Sequence, residues 1–477
     1  MYLSYIFHTS FIHFPYFAIK LKVKLYIHYL SNNLMDEQIQ NWDEEDIIQL
    51  MQQIQHLAEI SIDYSYKQLF SHRFKDLIVR DVRDYVIDLW EIEDGDEMDF
   101  CKLLVDDVVD EYLKYGIDIP YVFRSRNVAI TPQINLNKEI QRLKSLPQPE
   151  QKSTEWYEKR HNMITASNMW KVMRSESTRN SIIFEKCKPD SVGAPRFCGG
   201  PMEWGNKYEP VSIFFYEKHY NTKIEDFGCI THPDFDFIGA SPDGINVDPN
   251  SPLFGRMLEI KNIFNRNITG IPKEEYWIQM QVQMETCDLE YCDFLETRFK
   301  EYNARETEDN QIIEPQEAFY NSDHATKGVL VQFATIDANS FIPHYEYHPL
   351  LDSYNKKEID TWVNEVRETQ QQKAFIKVIY YYLEEHSCVL VRRNQKWFNL
   401  VKPDIVDTWN TIIRERVQGY DHRRPRSRSN SVTQEANNTV AISRSEGDTT
   451  RIIHNLQPTT SISLVRLDSN GTDMNLL

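Results

Sequence analysis

Between residues 228 and 299 the chain alternates short apolar runs, turn-forming clusters and one helix-length stretch, and that rhythm leaves few folds open. The runs at 228–231, 237–240 and 257–262 have strand length, and His232-Pro233-Asp234 and Pro242-Asp243-Gly244 between them have turn chemistry. A helical stretch at 273–286 leads into another strand at 291–299. Strands interleaved with a helix in this way predict a mixed sheet flanked by helices, an α/β arrangement. Further helices are expected at 165–173 and 202–220. Downstream the pattern predicts one or two strands within 326–347, a helix over 354–385, and a closing strand and helix up to Arg416.

The charge is unevenly distributed. Residues 36–120 hold 23 Asp/Glu against 7 Lys/Arg, a net of −16 out of the chain's −19, which leaves only −3 elsewhere. That acidic segment has amphipathic helical spacing, with apolar positions such as Ile47, Ile48, Leu50, Met51 and Ile54, so its acids read as a solvated outer face. Residues 126–152, with Pro132, Pro147 and Pro149, read as a linker. The near-neutral remainder is compatible with nucleic-acid chemistry, because bound divalent cations add positive charge beside carboxylates.

Residues 1–34 stand apart. From Tyr2 to Ile19 there is no charged side chain, but the run is rich in Tyr, Phe and His and is interrupted by Pro15. It is read as an atypical extension ahead of a start at Met35, with a membrane anchor as the competing reading. Seven cysteines (Cys101, Cys187, Cys198, Cys229, Cys287, Cys292 and Cys388) form no CxxC pair, which argues for reduced thiols of an intracellular protein and against structural zinc. From Tyr420 the chain becomes Ser/Thr/Asn-rich after Arg423-Arg424-Pro425-Arg426-Ser427-Arg428, and a disordered tail is expected.

The chemistry concentrates in Leu258-Glu259-Ile260-Lys261. Residues two apart on a strand share a face, so Glu259 and Lys261 project together while Leu258 and Ile260 face the core. Asp243, at the turn before this strand, can set a second carboxylate against Glu259. Oxygens from Asp243, Glu259 and the Ile260 backbone carbonyl suit Mg²⁺, which keeps several waters and takes few carboxylates. Lys261 would then position or activate the attacking water and stabilise charge at phosphorus. A second Glu-x-Lys, Glu150-Gln151-Lys152, has neither an apolar strand nor an Asp-Gly turn around it.

Five collinear motifs over roughly 153–300 resemble the lambda exonuclease / YqaJ-type viral recombinase family of the PD-(D/E)xK nucleases. They are Trp156-Tyr-Glu-Lys-Arg-His-Asn-Met-Ile-Thr-Ala-Ser167, Glu203-Trp-Gly-Asn-Lys-Tyr-Glu209, Ser241-Pro-Asp-Gly244, Leu258-Glu-Ile-Lys261 and Tyr276-Trp-Ile-Gln-Met-Gln281. The resemblance implies metal ligation by Asp243, Glu259 and the Ile260 carbonyl, with Glu209 assisting. It further implies Lys261 as catalytic lysine and Gln279 orienting the water or the lysine. Arg160, Ser167 and Ser241 would form a pocket for a terminal 5′-phosphate. Arg160 brings a planar fork of donors suited to phosphate, and Thr165 and Ser167 lie where a helix is expected to begin. Taken singly, Arg160 also reads as an ion-pair partner, Ser167 as a helix cap and Gln279 as a solvent-facing residue.

The expected organisation is therefore an extension (1–34), an acidic helical region (35–125), a linker (126–152), a restriction-endonuclease-like nuclease domain (153–345), a helical or mixed extension (346–419) and a disordered tail (420–477). The function expected from the resemblance is a Mg²⁺-dependent 5′→3′ exonuclease on double-stranded DNA ends, with Mn²⁺ as substitute, in recombination, repair or replication. It would act inside the cell (cytoplasm or nucleus), be virus-encoded, and need no membrane. A single-strand annealing protein and a homotrimer are the expected partners. The competing readings are a structure-specific endonuclease, a single-strand nuclease, or a non-catalytic DNA-binding scaffold.

Overall fold

Helical spacing is realised at once in α1 (Glu44–Ser65), where Ile47, Leu50, Ile54, Ala58 and Ile62 recur every three or four residues and are all buried. Helices α2 (Phe74–Trp90) and α3 (Asp96–Gly116) pack against it, while Asp76, Asp84, Asp88 and Asp110 face solvent as expected. The computed structural model describes residues 44–424 except 91, 93–94, 117–118, 120–134, 150–152, 190–199, 307–310 and 338–339. The extension at 1–34, the second Glu-x-Lys and the tail beyond Arg424 lie outside the described residues.

The expected linker contains a helix, α4 (Leu136–Ser145), because Ile140 and Leu143 lie one helical turn apart and both bury against the core. Next come α5 (Thr154–His161), β1 (Ile164–Thr165), α6 (Ala166–Met169), α7 (Glu176–Cys187) and α8 (Gly200–Tyr220). Here the expectation for 165–173 is corrected. The helix is a single turn, and the chain then passes through turns. Four residues make no appreciable macrodipole, so the idea of a helix N-terminus at Thr165 attracting an anion falls away.

Short strands follow: β2 (Ile224–Glu225), β3 (Ile230–Thr231), β4 (Ile238–Ala240), β5 (Gly244–Asn246) and β6 (Met257–Asn262). Helix α9 (Glu274–Cys287) crosses over to β7 (Tyr291–Glu301), and β8 (Arg305–Glu306) and β9 (Ile312–Ile313) form a small ladder before α10 (Pro315–Asn321). The chain ends its described part with β10 (Lys327–Asp337), β11 (Ser340–Tyr347), α11 (Lys356–Thr369), β12 (Ala374–Arg392) and α12 (Gln395–Gln418).

Seven strands make one mixed sheet in the order β11-β10-β12-β7-β6-β5-β2. Only β6 and β7 run parallel in it, as a strand–helix–strand unit requires, and the other neighbours are antiparallel. A three-stranded sheet, β1-β4-β3, stands beside it. The mixed sheet flanked by helices is the architecture expected from the sequence.

Two boundaries are corrected. The helix expected over 354–385 ends at Thr369, and from Ala374 the chain is the longest strand, β12. The run Phe375-Ile-Lys-Val-Ile-Tyr-Tyr-Tyr382 is β-branched and aromatic, and it fits a pleated surface better than a helix. Because β12 lies between β10 and β7, the sheet does not close at 345, and the expected C-terminal extension supplies a central strand. The acidic helices are also no separate body. One buried apolar cluster runs from Ile47 through Met280 to Ile412. The described chain continues past Tyr420, whose ring packs 5.6 Å from Phe184 before a short turn at Asp421–Arg423. Among the described residues no helix is long and apolar enough to cross a membrane.

Candidate active site

Strand β6 is buried on both faces, and its alternation sorts the residues as expected. Leu258 and Ile260 pack with Phe215 of α8 and Leu295 of β7. Glu259 and Lys261 take the opposite face beneath α9, where Glu259 is wholly buried and Lys261 is 22% exposed. Lys261 Nζ donates to Glu259 Oε1 and sits 4.9 Å from the centre of the Tyr276 ring. Gln283 Nε2 donates to the other oxygen, Oε2, at 2.8 Å. Glu259 is thus held by a neighbour on its own strand and by one on the crossover helix.

The Pro242-Asp243-Gly244 turn brings Asp243 back onto this strand, where its Oδ2 accepts the Ile260 N–H at 2.6 Å. Burial first, then the charges of Glu259 and Glu209, push the Asp243 carboxyl well above its ordinary value, against the pull of Lys261 and the Ile260 amide. Burial disfavours the charged Lys261 ammonium, but Glu259 and Asp243 outweigh it and the net shift is upward. The two acids therefore favour the charged form of Lys261.

Glu209 is placed by its own helix. Gly205 and Ser212, four residues before and three after it, lie on the same face of α8. Asn262 at the end of β6 donates to the Gly205 carbonyl (3.0 Å) and accepts from Ser212 (2.7 Å) and Thr297 (2.8 Å). These bonds fasten the helix to the strand and hold Glu209 in the cavity wall. Pro210 follows immediately and cannot donate to the Asn206 carbonyl one turn back.

A cavity of about 190 Å³ is lined by Arg160, Ser167, Asn206, Glu209, Ser241, Asp243, Gln279 and Gln283, among others. Arg160 donates to Ser241 Oγ (3.3 Å) and Ser167 Oγ (3.4 Å), and its guanidinium lies 4.2 Å from the Trp156 ring centre. Ser167 stands 3.2 Å from Thr165 Oγ1. Burial draws Arg160 below the usual arginine value. Arg160, Ser167, Glu209, Ser241, Asp243 and Gln279 thus line this cavity, and Glu259 lies buried behind its Gln283. Gln281 turns elsewhere, donating to the Arg392 carbonyl (2.8 Å) and accepting from the Asn394 amide (2.6 Å). Sequence reading passed over Gln283, although it lies one turn beyond Gln279 on the same helix face. A second, wider cavity of about 480 Å³ shares Asn206, Glu209 and Asp243 with the first and continues along Lys261, Phe264, Arg266 and Lys273.

The donor set can be tested against a metal. Among the described residues no three His, Cys, Asp or Glu side chains converge as a ready-made cage. What stands here is a pair of carboxylates, Asp243 and Glu259, with Glu209 close enough to act on Asp243. An oxygen-only pair, in which burial and neighbouring acids push the Asp243 carboxyl upward, is donor chemistry that suits a hard divalent cation.

A family model falls on the same stretch. Residues 155–290 match the family model of the YqaJ-like viral recombinase domain. Uncharacterized protein R354 of Acanthamoeba polyphaga mimivirus is 28% identical over 312 residues, 59% of this chain and 55% of that protein, so the chain spans about half the length of the curated relative it matches. Among solved structures, the alkaline exonuclease LHK-Exo of Laribacter hongkongensis is 19% identical with a TM-score of 0.33, covering 55% of this chain and 94% of that one, and its complex with dAMP gives the same values. A phage-related exonuclease from Haemophilus somnus 129PT is 14% identical with a TM-score of 0.30, covering 53% and 94%. The segment 155–290, which holds the acids, the lysine, the glutamines and the arginine–serine cluster just described, is the stretch that matches the YqaJ-like viral recombinase domain.

Proposed function

We propose that this chain is a divalent-metal-dependent deoxyribonuclease that acts as a 5′→3′ exonuclease from phosphorylated ends of duplex DNA. One observation carries the reading: Arg160, Ser167 and Ser241 share a cavity wall with the acids Asp243 and Glu209. An end-binding group and a hydrolytic group within one small cavity suit a reaction that begins at a terminus.

Arg160 would take the terminal phosphate through its planar fork, with the two hydroxyls completing the oxygens' hydrogen bonds. Asp243 and Glu259 would hold Mg²⁺ or Mn²⁺ with the Ile260 carbonyl, and Glu209 would assist. Bound there, the cation would supply Lewis-acid charge at the scissile phosphate. Lys261, kept charged by Glu259 and Asp243, would bind a phosphate oxygen in the transition state. Gln279, in the same cavity wall, would orient the attacking water. Hand-over of the 3′-ended strand to an annealing protein and assembly as a homotrimer belong to this proposal and rest on the family resemblance.

The test uses linear duplexes with 5′-phosphate or 5′-hydroxyl ends and a closed circle, each with Mg²⁺. The phosphorylated linear duplex should be degraded fastest and the circle left intact. Glu259→Ala and Lys261→Ala should each lose about 100-fold or more in rate, the scale of removing a preorganised electrostatic group. Nicking of the circle would replace this reading with the endonuclease one. Equal rates in all three proteins would refute the site.

A further inference from the structure

Arg160 has an unusual foundation. It lies on the last turn of α5, where the backbone carbonyls have no helical partners. Two cations from distant parts of the chain close that end. Lys186 Nζ, from α7, donates to the Arg160 carbonyl at 2.7 Å. Arg416, from α12, donates to the His161 carbonyl at 3.2 Å and to the Asn162 side chain at 3.2 Å. The same guanidinium donates to the Lys186 carbonyl from Nε (3.0 Å) and NH2 (2.8 Å). Arg416 thus holds Lys186, and Lys186 holds Arg160.

Lys186 is only 5% exposed, an unusual position for a lysine in a chain so acidic overall. Its own hydrogen bond is to a neutral carbonyl, and Arg160 bonds the two serine hydroxyls and the Cys229 thiol. A helix terminus needs no buried lysine to cap it, since water or a tightened last turn serves as well. The arrangement gathers positive charge behind Arg160, which lines the cavity with two serine hydroxyls beside the acids Glu209 and Asp243, and a doubly charged terminal phosphate would need that charge more than a bridging diester would.

We propose that Lys186, held by Arg416, is a positioning residue that fixes Arg160 for a terminal phosphomonoester and so sets the preference for phosphorylated over hydroxyl ends. This rests on the nuclease reading for its substrate but assigns a role to a residue outside the site itself. Burial chiefly, with Arg160, Lys171 and Arg416 adding and Glu185 opposing, lowers the Lys186 amine to about 8. An anion seated on Arg160 favours the charged amine, so affinity for the phosphorylated end should fall as pH rises past about 8. An arginine in place of Lys186 keeps its charge through that range.

The experiment measures binding of fluorescent duplexes, with 5′-phosphate or 5′-hydroxyl ends, to the full chain without divalent metal. The wild type should prefer the phosphate, and Lys186→Met should lose about tenfold or more of that preference, the scale on which supporting partners act, with hydroxyl-end affinity unchanged. Between pH 7 and 9.5 the wild-type preference should decline while that of Lys186→Arg stays level. Loss of affinity for both ends by one factor, or a flat wild-type profile, overturns the proposal. If Lys186→Met fails to fold, the wild-type and Lys186→Arg profiles still decide. A wild type that shows the preference yet cleaves nothing when Mg²⁺ is added refutes the nuclease reading and leaves this one standing.

Discussion

Gln283 reaches across from the crossover helix to the buried Glu259, its Nε2 2.8 Å from Oε2, while Lys261 holds the opposite oxygen. A carboxylate this enclosed is oriented by both neighbours, and the same Gln283 nitrogen lies 3.4 Å from the Ser241 carbonyl. The helix that carries Gln279 into the cavity thereby also sets the strand acid and the loop that bears Asp243.

Gln283→Met should therefore lower Mg²⁺-dependent activity and metal affinity by about 10- to 100-fold, as loss of outer-shell partners does. Metal titration of the rate is the check. The preference for phosphorylated ends should not move, because Arg160 and its supports are untouched.

Glu274 opens α9 and accepts from the His72 amide (2.9 Å) and from His72 Nδ1 (2.6 Å), with Arg174 on its other oxygen. Burial alone would raise this carboxyl, but His72 and Arg174 outweigh it and leave it below 4.5. A depressed folded-state value means the stabilisation is complete above the ordinary carboxylate range and is lost as pH falls through the lowered value. Glu274→Gln should cost about 1–3 kcal/mol at pH 7. Urea unfolding of both proteins should converge as pH drops below 4.5. A gap that persists in acid would contradict the assignment.

Gly255 closes the β5–β6 hairpin with φ of +76°, and a Cβ there would collide with the Leu136 side chain of α4. Gly255→Ala should cost about 1–2 kcal/mol for the left-handed backbone and about 1–3 kcal/mol for the collision. Pairing it with Leu136→Ala should recover only the collision part beyond the cost of Leu136→Ala itself, as a double-mutant cycle of melting temperatures would reveal.

Arg256 and Asp293 form an almost fully buried pair, NH1 to Oδ1 at 3.0 Å, and Tyr216 donates to the same carboxylate at 2.6 Å. Arg256→Met strands a charge and should cost about 3–5 kcal/mol. Arg256→Met with Asp293→Leu should be much milder, since the lone buried carboxylate is gone. Denaturant midpoints of the two variants settle the comparison.

The sequence by itself determined the local pieces: the strand–turn–strand around Asp243, the shared face of Glu259 and Lys261, and the helical spacing of α1, α8 and α9. These follow from periods of two and of three to four residues, which short-range sterics impose wherever the segment lies. Arg160, Ser167 and Ser241 were singled out by the resemblance of their motifs, in chain order, to those of a known family. Tertiary structure alone decided that the 374–392 segment enters the sheet between β10 and β7, since an apolar aromatic run takes its state from the neighbours it can pair with. Only the fold could bring Lys186 and Arg416 under Arg160, which they join from 26 and 256 residues away. Gln283 belongs with them. Its role depends on how deeply Glu259 is buried, and burial is a property of the packed molecule rather than of any stretch of chain.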